Sequence, residues 1–538
     1  RARGYVAGAI SDAVAVSLAG GYVSRDGYTE NTSGTGPDLD DADLLTARAK
    51  LRADIGNTEL VVSADVLRDR GKPSFFEVTD VAFLDDPSES TPFTVNQDQP
   101  NFLDRDINGI SLTATTDFGG PTWTNVVGYR DSSFDAGLDD DKLPVRYFVD
   151  FFSSDTEFVS LESRIAHSLG DRVDYMIGVY YFDQQADNIS NFALGDFLTG
   201  VPGVEPPIDL TSSVDTESIA IFFNTDWALT DQLSLEVGGR YVTEDKTATH
   251  VQDDQTGIFG STDFSADRSD TDFSPTVSLS YAFADGLTGY LRYAEGFKSA
   301  GFNTDFVTAT SNLEVEPEEA TALEAGLKAR LGDAARLNLA LFTTDYENLQ
   351  LSQIVGGGVS LNNAAEATIN GIEADIVIAA GDYFDINASL GYLDATYDEF
   401  TGCPVPGAAL PGTTQADCSG NMLNLAPEWS ANLGVQWTYP MSAGGNLIAR
   451  ADWSYRSEVF FEPQNTDRLS GDDRSLLDVR VGYATETWEV FAWARNATDE
   501  VYENFADDRS AIFVNTTTAY GPPRMYGVTA RMRFGNGN

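Results

Sequence analysis

Along most of the chain apolar and polar residues alternate with a period of two, as they do on a strand whose two faces meet different surroundings. Leu233, Leu235, Val237, Gly239 and Tyr241 share one face, and Ser234, Glu236, Gly238 and Arg240 share the other. Val173, Tyr175, Ile177, Val179 and Tyr181 oppose Asp174, Met176, Gly178 and Tyr180 in the same way. Near the end, Tyr526, Val528, Ala530, Met532 and Phe534 oppose Gly527, Thr529, Arg531 and Arg533. Helical periodicity is nearly absent, and alternating segments of roughly 9 to 15 residues recur from end to end, which predicts an all-β chain.

A soluble sandwich and a membrane barrel both show this alternation, and the connections separate them. Short links such as Thr230-Asp231-Gln232, Ala284-Asp285-Gly286, Gly332-Asp333-Ala334, Ala380-Gly381-Asp382 and Thr485-Glu486-Thr487 alternate with long polar excursions. The excursions are expected over 71–104, 187–214, 247–271, 298–317, 349–363, 398–426, 460–474 and 503–520. Loop lengths sorted by side fit a large antiparallel transmembrane β-barrel with short periplasmic turns and long extracellular loops. Ten residues rising about 3.3 Å each at a tilt of about 40° cover roughly 25 Å, the height of the apolar band on such barrels. Longer strands are expected to project beyond the bilayer. Aromatic groups near strand ends (Phe222, Phe223 and Trp227; Tyr290, Tyr293 and Phe297; Trp437 and Tyr439) are expected at the headgroup level. The reading gives about 21 strands, from one at Gly4–Ile10 to one at Pro522–Phe534, where an even number is the rule. The first strand leads into the short turn Ser11-Asp12-Ala13, so one more strand is expected before it, about 22 in all, as in plugged outer-membrane transporters.

Composition narrows the function. With 538 residues, 42% apolar and 11% aromatic, the chain is not a disordered one, and no seam between soluble domains is visible. Against 33 basic residues stand 84 acidic ones, a net charge of -51, so there is no basic footprint for nucleic acid. Two Cys and two His leave almost no material for a metal centre with nitrogen and sulfur ligands. No apolar run reaches about 18 residues, which excludes helical membrane spans. G-x-S-x-G, H-E-x-x-H and G-x-x-x-x-G-K-[ST] are absent, and His167 and His250 stand alone, so neither an enzyme nor a cofactor is expected. The opening run R-A-R-G-Y-V at Arg1 carries no secretory signal, and a preceding segment is expected.

Several motifs recur in a recognisable order. They are Y-A-E-G-F-K-S-A-G-F-N from Tyr293, P-E-E-A-T-A-L-E-A-G-L-K from Pro317, N-A-A-E-A-T-I-N-G-I-E-A-D from Asn363, L-A-P-E-W from Leu425, N-A-T-D-E-V-Y from Asn496 and Y-G-P-P-R from Tyr520. Together they resemble the barrel of a TonB-dependent receptor over nearly the whole chain. The resemblance implies a monomeric outer-membrane barrel of a Gram-negative bacterium, with residues 1–538 as the barrel. A plug, a TonB box and the first strand would lie before residue 1. It further implies TonB-energised uptake of a scarce nutrient, with a ferric siderophore as the default cargo. The partners implied are outer-membrane lipid and lipopolysaccharide, TonB, and a small-molecule metal chelate. Cobalamin or saccharide receptors, a passive porin and a soluble β-rich binding protein are the alternatives. One departure is that Phe534 is followed by Gly-Asn-Gly-Asn.

Within that frame Cys403 and Cys418, in one Pro- and Gly-rich loop of an oxidising compartment, are expected to form a disulfide; a metal pair is the competing reading, without a nearby His. Arg240, Arg292, Arg456, Arg480 and Arg495 fall on the lumen face with Arg450, and Lys298 ends its strand. Such groups could grip carboxylates or catecholates of a chelate, or pair with Glu236, Asp452, Asp478 or a plug. Phe148, Phe151 and Phe152 are expected as loop aromatics within reach of a ligand. The acidic groups Asp38, Asp40, Asp41 and Asp43, and Asp139, Asp140 and Asp141, suit hydration of an external surface or divalent cations bridging to lipopolysaccharide.

Overall fold

Twenty-one strands form a single antiparallel sheet in the computed structural model, each pairing with the next along the chain. They are β1 (Ala2–Ser11), β2 (Val14–Arg25), β3 (Ala42–Ile55), β4 (Thr58–Asp69), β5 (Phe102–Asp117), β6 (Thr122–Asp139) and β7 (Phe148–Leu169). Next come β8 (Val173–Leu194), β9 (Pro207–Ala228), β10 (Leu233–Asp254), β11 (Thr262–Ala284), β12 (Leu287–Lys298), β13 (Glu318–Leu331) and β14 (Ala335–Glu347). The last are β15 (Glu366–Ala380), β16 (Phe384–Glu399), β17 (Trp429–Pro440), β18 (Asn446–Arg456), β19 (Arg474–Ala484), β20 (Trp488–Arg495) and β21 (Met525–Met532). The structure describes all residues except 35, 82–90, 100, 140–141, 143, 145–147, 196–206, 258, 306, 308–312, 356–357, 364–365, 406–414, 443, 509–514 and 536–538.

The sheet curls on itself. Arg25 at the end of β2 places Nη1 3.8 Å from Sδ of Met525, the first residue of β21. Among the described residues β1 pairs only with β2 and β21 only with β20, which leaves two facing free edges. Side chains on those edges are the most exposed apolar groups of the sheet, among them Tyr5 at 73% and Tyr526 at 81%.

Register fixes which face each residue occupies, because a slip of one residue would turn every side chain over. An outer row runs Trp227, Leu235, Leu279, Leu291, Ala325, Leu341, Ile372 and Tyr392 across eight neighbouring strands. One residue away, the lumen row runs Ser234, Ser280, Tyr290, Gly326, Ala340, Glu373, Gly391 and Ser430. Toward the long-loop end of β10 the lumen side chains Ala248, His250 and Gln252 are buried, whereas Thr247, Thr249 and Val251 are exposed. The enclosed side is therefore the one carrying Ser234 and Arg240.

Two expectations need correction. The stretches 187–214 and 247–271 are mostly strand, because β7 to β10 have 22 residues each and β11 has 23, leaving connections of only 195–206 and 255–261. Twenty-two residues at about 3.3 Å each reach roughly 70 Å, far beyond an apolar band of about 25 Å. The projecting outer face carries Asp183, Asp187, Asp215, Glu217, Asp245 and Asp267, all exposed. The second correction concerns Phe222 and Tyr290, which face the lumen and not the headgroups. Each lies flat over a glycine of the next strand: a Cβ on Gly178 or Gly326 would sit 2.3 Å from the Phe222 or Tyr290 ring. Phe223, Trp227, Tyr293, Phe297, Trp437 and Tyr439 occupy outer-face positions. At the short-turn end Tyr439 packs against Trp437 and Tyr383, with ring centroids 5.7 and 5.6 Å away.

Leu235→Arg on the outer row is expected to cost about 2–4 kcal/mol in a bilayer, whereas Ser234→Arg on the lumen row should be tolerated. Denaturant titration of both variants folded in lipid vesicles checks this, and equal stability would refute the assigned facing.

Candidate functional site

At the long-loop end the backbone groups of the connections must find partners of their own, and they do so by folding into small sheets. Residues Glu503–Asp508 pair with Asn515–Tyr520, which pair in turn with Glu77–Val81, a segment more than 400 residues earlier in the chain. Glu30–Asn31 runs parallel to Thr94–Val95, and Val459–Phe460 pairs with Ser470–Gly471. Val459, Phe461, Leu469 and Ala506, with Phe505 beside them, bury a small apolar core beneath this roof.

Several of the acidic groups bind the roof's backbone, while Asp38 and Asp43 stay exposed to solvent. Asp40 accepts the Ser74 amide at 2.9 Å, Asp41 accepts the Lys72 amide and Nζ at 2.6 and 3.0 Å, and Asp38 accepts the Asn31 amide at 3.3 Å. The Asp43 backbone carbonyl accepts the Arg70 amide at 2.9 Å. Asp139 is buried and accepts the amides of Gln99 and Lys142, both at 2.9 Å. Asp140 and Asp141 lie outside the described residues. Phe148, Phe151 and Phe152 belong to β7 and not to a loop. Phe148 and Phe152 are packed with Phe192, Ile208, Leu210 and Phe259, and the Phe151 ring lies 6.3 Å from that of Phe102. Cys403 and Cys418 are joined by a disulfide and buried with Tyr397 and Phe400.

The basic candidates all fall on lumen positions but do not form one site. Arg240 lies over the Tyr180 ring at 5.2 Å. Arg292 stands across from Glu324, and Lys298 across from Glu318. Arg450 is tied to Asp452, with Nε 2.8 Å from the carboxylate. Beside it Arg480 donates to Gln436 at 3.3 Å and covers the Phe491 ring at 5.5 Å.

Arg456 and Arg495 belong to a cluster at the mouth, next to the free edges. Arg456 ends β18 directly across from Arg474, the first residue of β19. Arg456 Nη2 donates to the Glu503 carbonyl at 3.0 Å, and its Nε is buried without a hydrogen-bond partner among the described residues. Arg474 lies over the Tyr502 ring at 4.7 Å and donates to Asn504 at 3.1 Å. On the other side of the edges Arg25 covers the Tyr28 ring at 5.1 Å and donates to the Asp40 carbonyl at 2.7 Å. Arg495 pairs in register with Met525 and lies 5.6 Å from the Trp493 ring. Tyr28 and Tyr520 both pack on Phe93, with centroids 5.9 and 6.0 Å apart.

Two sequence motifs build the platform for Tyr502. In N-A-T-D-E-V-Y, Asn496 Nδ2 donates to the Glu500 and Pro522 carbonyls at 2.8 and 3.4 Å, and Asp499 pairs with Arg524 at 2.9 Å. In Y-G-P-P-R, Gly521 receives the Tyr502 ring so closely that a Cβ there would lie 1.9 Å from it. Arg25, Arg474, Tyr28, Tyr502 and Tyr520 were not singled out from sequence. Lumen parity places Arg25 and Arg474, but only the roof brings them to the tyrosines.

Residues 16–497 match a family model described as "TonB dependent receptor-like, beta-barrel". The pesticin receptor of Yersinia enterocolitica is 24% identical over 339 residues, covering 61% of this chain and 46% of its own length. The chain thus spans about half the length of the curated relatives it matches. Among solved structures, the ferric yersiniabactin uptake receptor FyuA from Yersinia pestis superposes with a TM-score of 0.83 at 18% identity, covering 99% of this chain and 77% of that one. The siderophore receptor PiuA from Acinetobacter baumannii gives 0.78 at 16% identity, with 98% and 78% covered.

Burial sets the protonation of the roof. Glu77, a buried residue of the roof's own Glu77–Val81 strand, has its pKa pushed up to about 8 by burial with help from Asp40, against the pull of the Phe93 and Thr94 amides. Glu462 is likewise pushed up to about 8 by burial and then by Asp507 and Asp508. Both carboxyls bind protons more tightly folded than unfolded. Their contribution is therefore complete below the ordinary carboxyl range and is lost as pH rises through about 8. Amide exchange in Glu503–Asp508 and Asn515–Tyr520 is expected to accelerate between about pH 5 and about pH 9 beyond its intrinsic rate, and Glu77→Gln with Glu462→Gln should flatten that difference. Protection independent of pH in the unaltered protein would contradict the assignment.

Proposed function

The chain belongs to the TonB-dependent receptor β-barrel family, and on that premise we propose that it takes up a ferric siderophore by TonB-energised transport across the outer membrane. The family consists of outer-membrane barrels, which is the setting the apolar outer row requires. The observation that carries the proposal is the roofed mouth. Segments from both ends of the chain are knitted together at the long-loop end, beside arginines stacked on tyrosines, an arrangement suited to capture.

A polar lumen row facing an interior leaves room for a plug, and one further strand between β1 and β21 would satisfy both free edges. Coupling to TonB would run through such a plug. We assign no catalytic role to any residue.

Growth of the parent bacterium on a panel of ferric chelates as sole iron source tests the reading. Deletion of this gene is expected to abolish growth on one chelate or a few related ones, and deletion of TonB to abolish growth on the same ones. Uptake that survives loss of TonB would favour a passive channel. Unchanged iron supply with lost use of cobalamin or an oligosaccharide would replace the cargo.

A further inference from the structure

We propose that segment 299–316 is a strap across the tall strands that acid releases, with His250 as the proton sensor beneath it. The inference concerns the mouth of the barrel and holds whichever cargo is taken up.

The connection between β12 and β13 turns back onto the lumen face of β10 and β11 and is fastened there along its described length. At its start Lys246 Nζ donates to Ser299 Oγ at 2.6 Å and to the Ala300 carbonyl at 2.8 Å, and the Ala300 amide donates to Asp270 at 3.3 Å. Further on, Gln252 Nε2 donates to the Val307 carbonyl at 2.9 Å, and the Val307 amide donates back to Oε1 at 3.0 Å. Arg268 holds the far end through Glu314 and Glu316, 3.4 and 2.6 Å away. Gly301 and Phe302 pair with Val315 and Glu314, which joins the two ends of the strap. Ala300, Val307 and Val315 are buried in the contact.

His250 stands on the same face of β10 between Lys246 and Gln252 and is fully buried. It lies about 17 residues along the strand from Leu233, roughly 55 Å at about 3.3 Å each, beyond an apolar band of about 25 Å. Register places it between Ser212 of β9 and Phe264 of β11, and the Phe264 ring is 5.1 Å away. Neither ring nitrogen makes a hydrogen bond of ordinary geometry among the described residues. A neutral imidazole is tolerated in such a place, whereas an imidazolium is a buried charge without a counter-ion. The cations nearby are spoken for: Glu244 holds Lys246 at 3.0 Å, and Arg268, across from Lys246, is held by Asp270 at 3.2 Å. Asp305, next to Thr304 on the strap, has a partner of its own.

Burial lowers the proton affinity of His250 below that of an ordinary imidazole and outweighs the Thr304 backbone and the Asp263 carboxylate, which favour the proton. Lifting the strap returns the ring to water and to its ordinary affinity. Docking is therefore complete above about pH 6.5 and is lost as pH falls below it. The roof has the opposite sign, since Glu77 and Glu462 loosen it as pH rises.

The test follows amide hydrogen exchange by mass spectrometry on the product of the whole gene in detergent, at about pH 7.5 and about pH 5.5, corrected for intrinsic rates. Peptides carrying Gly301–Phe302 and Glu314–Val315 are expected to exchange about tenfold faster at the lower pH, while Glu503–Asp508 and Asn515–Tyr520 of the roof do not accelerate. His250→Phe should abolish the acid response, whereas Gln252→Ala should speed strap exchange at both pH values and keep the acid step. Heat-modifiable gel migration establishes that each variant is folded. The inference is overturned by an absent acid response in the unaltered protein, by one that persists in folded His250→Phe, or by equal acceleration of the roof. Where His250→Phe does not fold, titration of the His250 ring by NMR in the unaltered protein decides, with the resonance assigned through its contact with Phe264. A midpoint below about 6.5 supports the strap, and one at or above it refutes the strap.

Discussion

The backbone hydrogen-bond ladder is the constraint on which everything else hangs. Inside a hydrocarbon layer no water can satisfy a peptide group, so each strand must pair on both sides over its membrane-crossing length. That requirement explains why the 21 strands pair strictly in chain order and why the turns at one end shrink to a few residues. It also makes the register rigid. Once Leu235 is opposite Leu279, every paired residue of β10 and β11 is committed to one face or the other. The edges of β1 and β21 are where the ladder stops, and there apolar side chains are most exposed.

Where the ladder continues, side-chain size is adjusted across it. Tyr290 over Gly326, Phe342 over Gly371, Phe222 over Gly178 and Trp493 over Gly527 are the same device on the lumen wall: a ring covers the strand that lacks a side chain. The ring shields the exposed glycine backbone and keeps the wall smooth. Substituting any of these glycines would expel the ring into the lumen, where the loss would be felt as a changed surface and not as a broken barrel.

The facing of β8, β10 and β21 was legible because lipid imposes a period of two that residue type reports directly. Legibility ended where lipid ended. Above the apolar band both faces are polar, so the stretch from Asp187 to Asn191 reads as loop although it is strand, and so does the stretch from Thr247 to Asp254. Aromatic residues misled for a related reason: Phe222 and Tyr290 are apolar, yet the glycines that hold them lie on neighbouring strands, far away in sequence. Asp40 and Asp41 looked like surface charge because nothing local reveals that Ser74 and Lys72 fold back upon them. Arg456 and Arg495 were found by parity; Arg25 and Arg474 share that parity but acquire meaning only from the tertiary contacts of the roof.

The unequal strand lengths give the entrance two unlike halves. On one side β7 to β11 stand up as continuous hydrogen-bonded staves, faced outward with carboxylates. On the other, β18 to β21 stop after 8 to 11 residues, and the height is made up by connections folded into small sheets. Backbone in long ladders opens rarely, whereas short two- and three-stranded patches open at much lower cost. The rim of the barrel is thus stiff where the long staves stand and looser where short patches replace them.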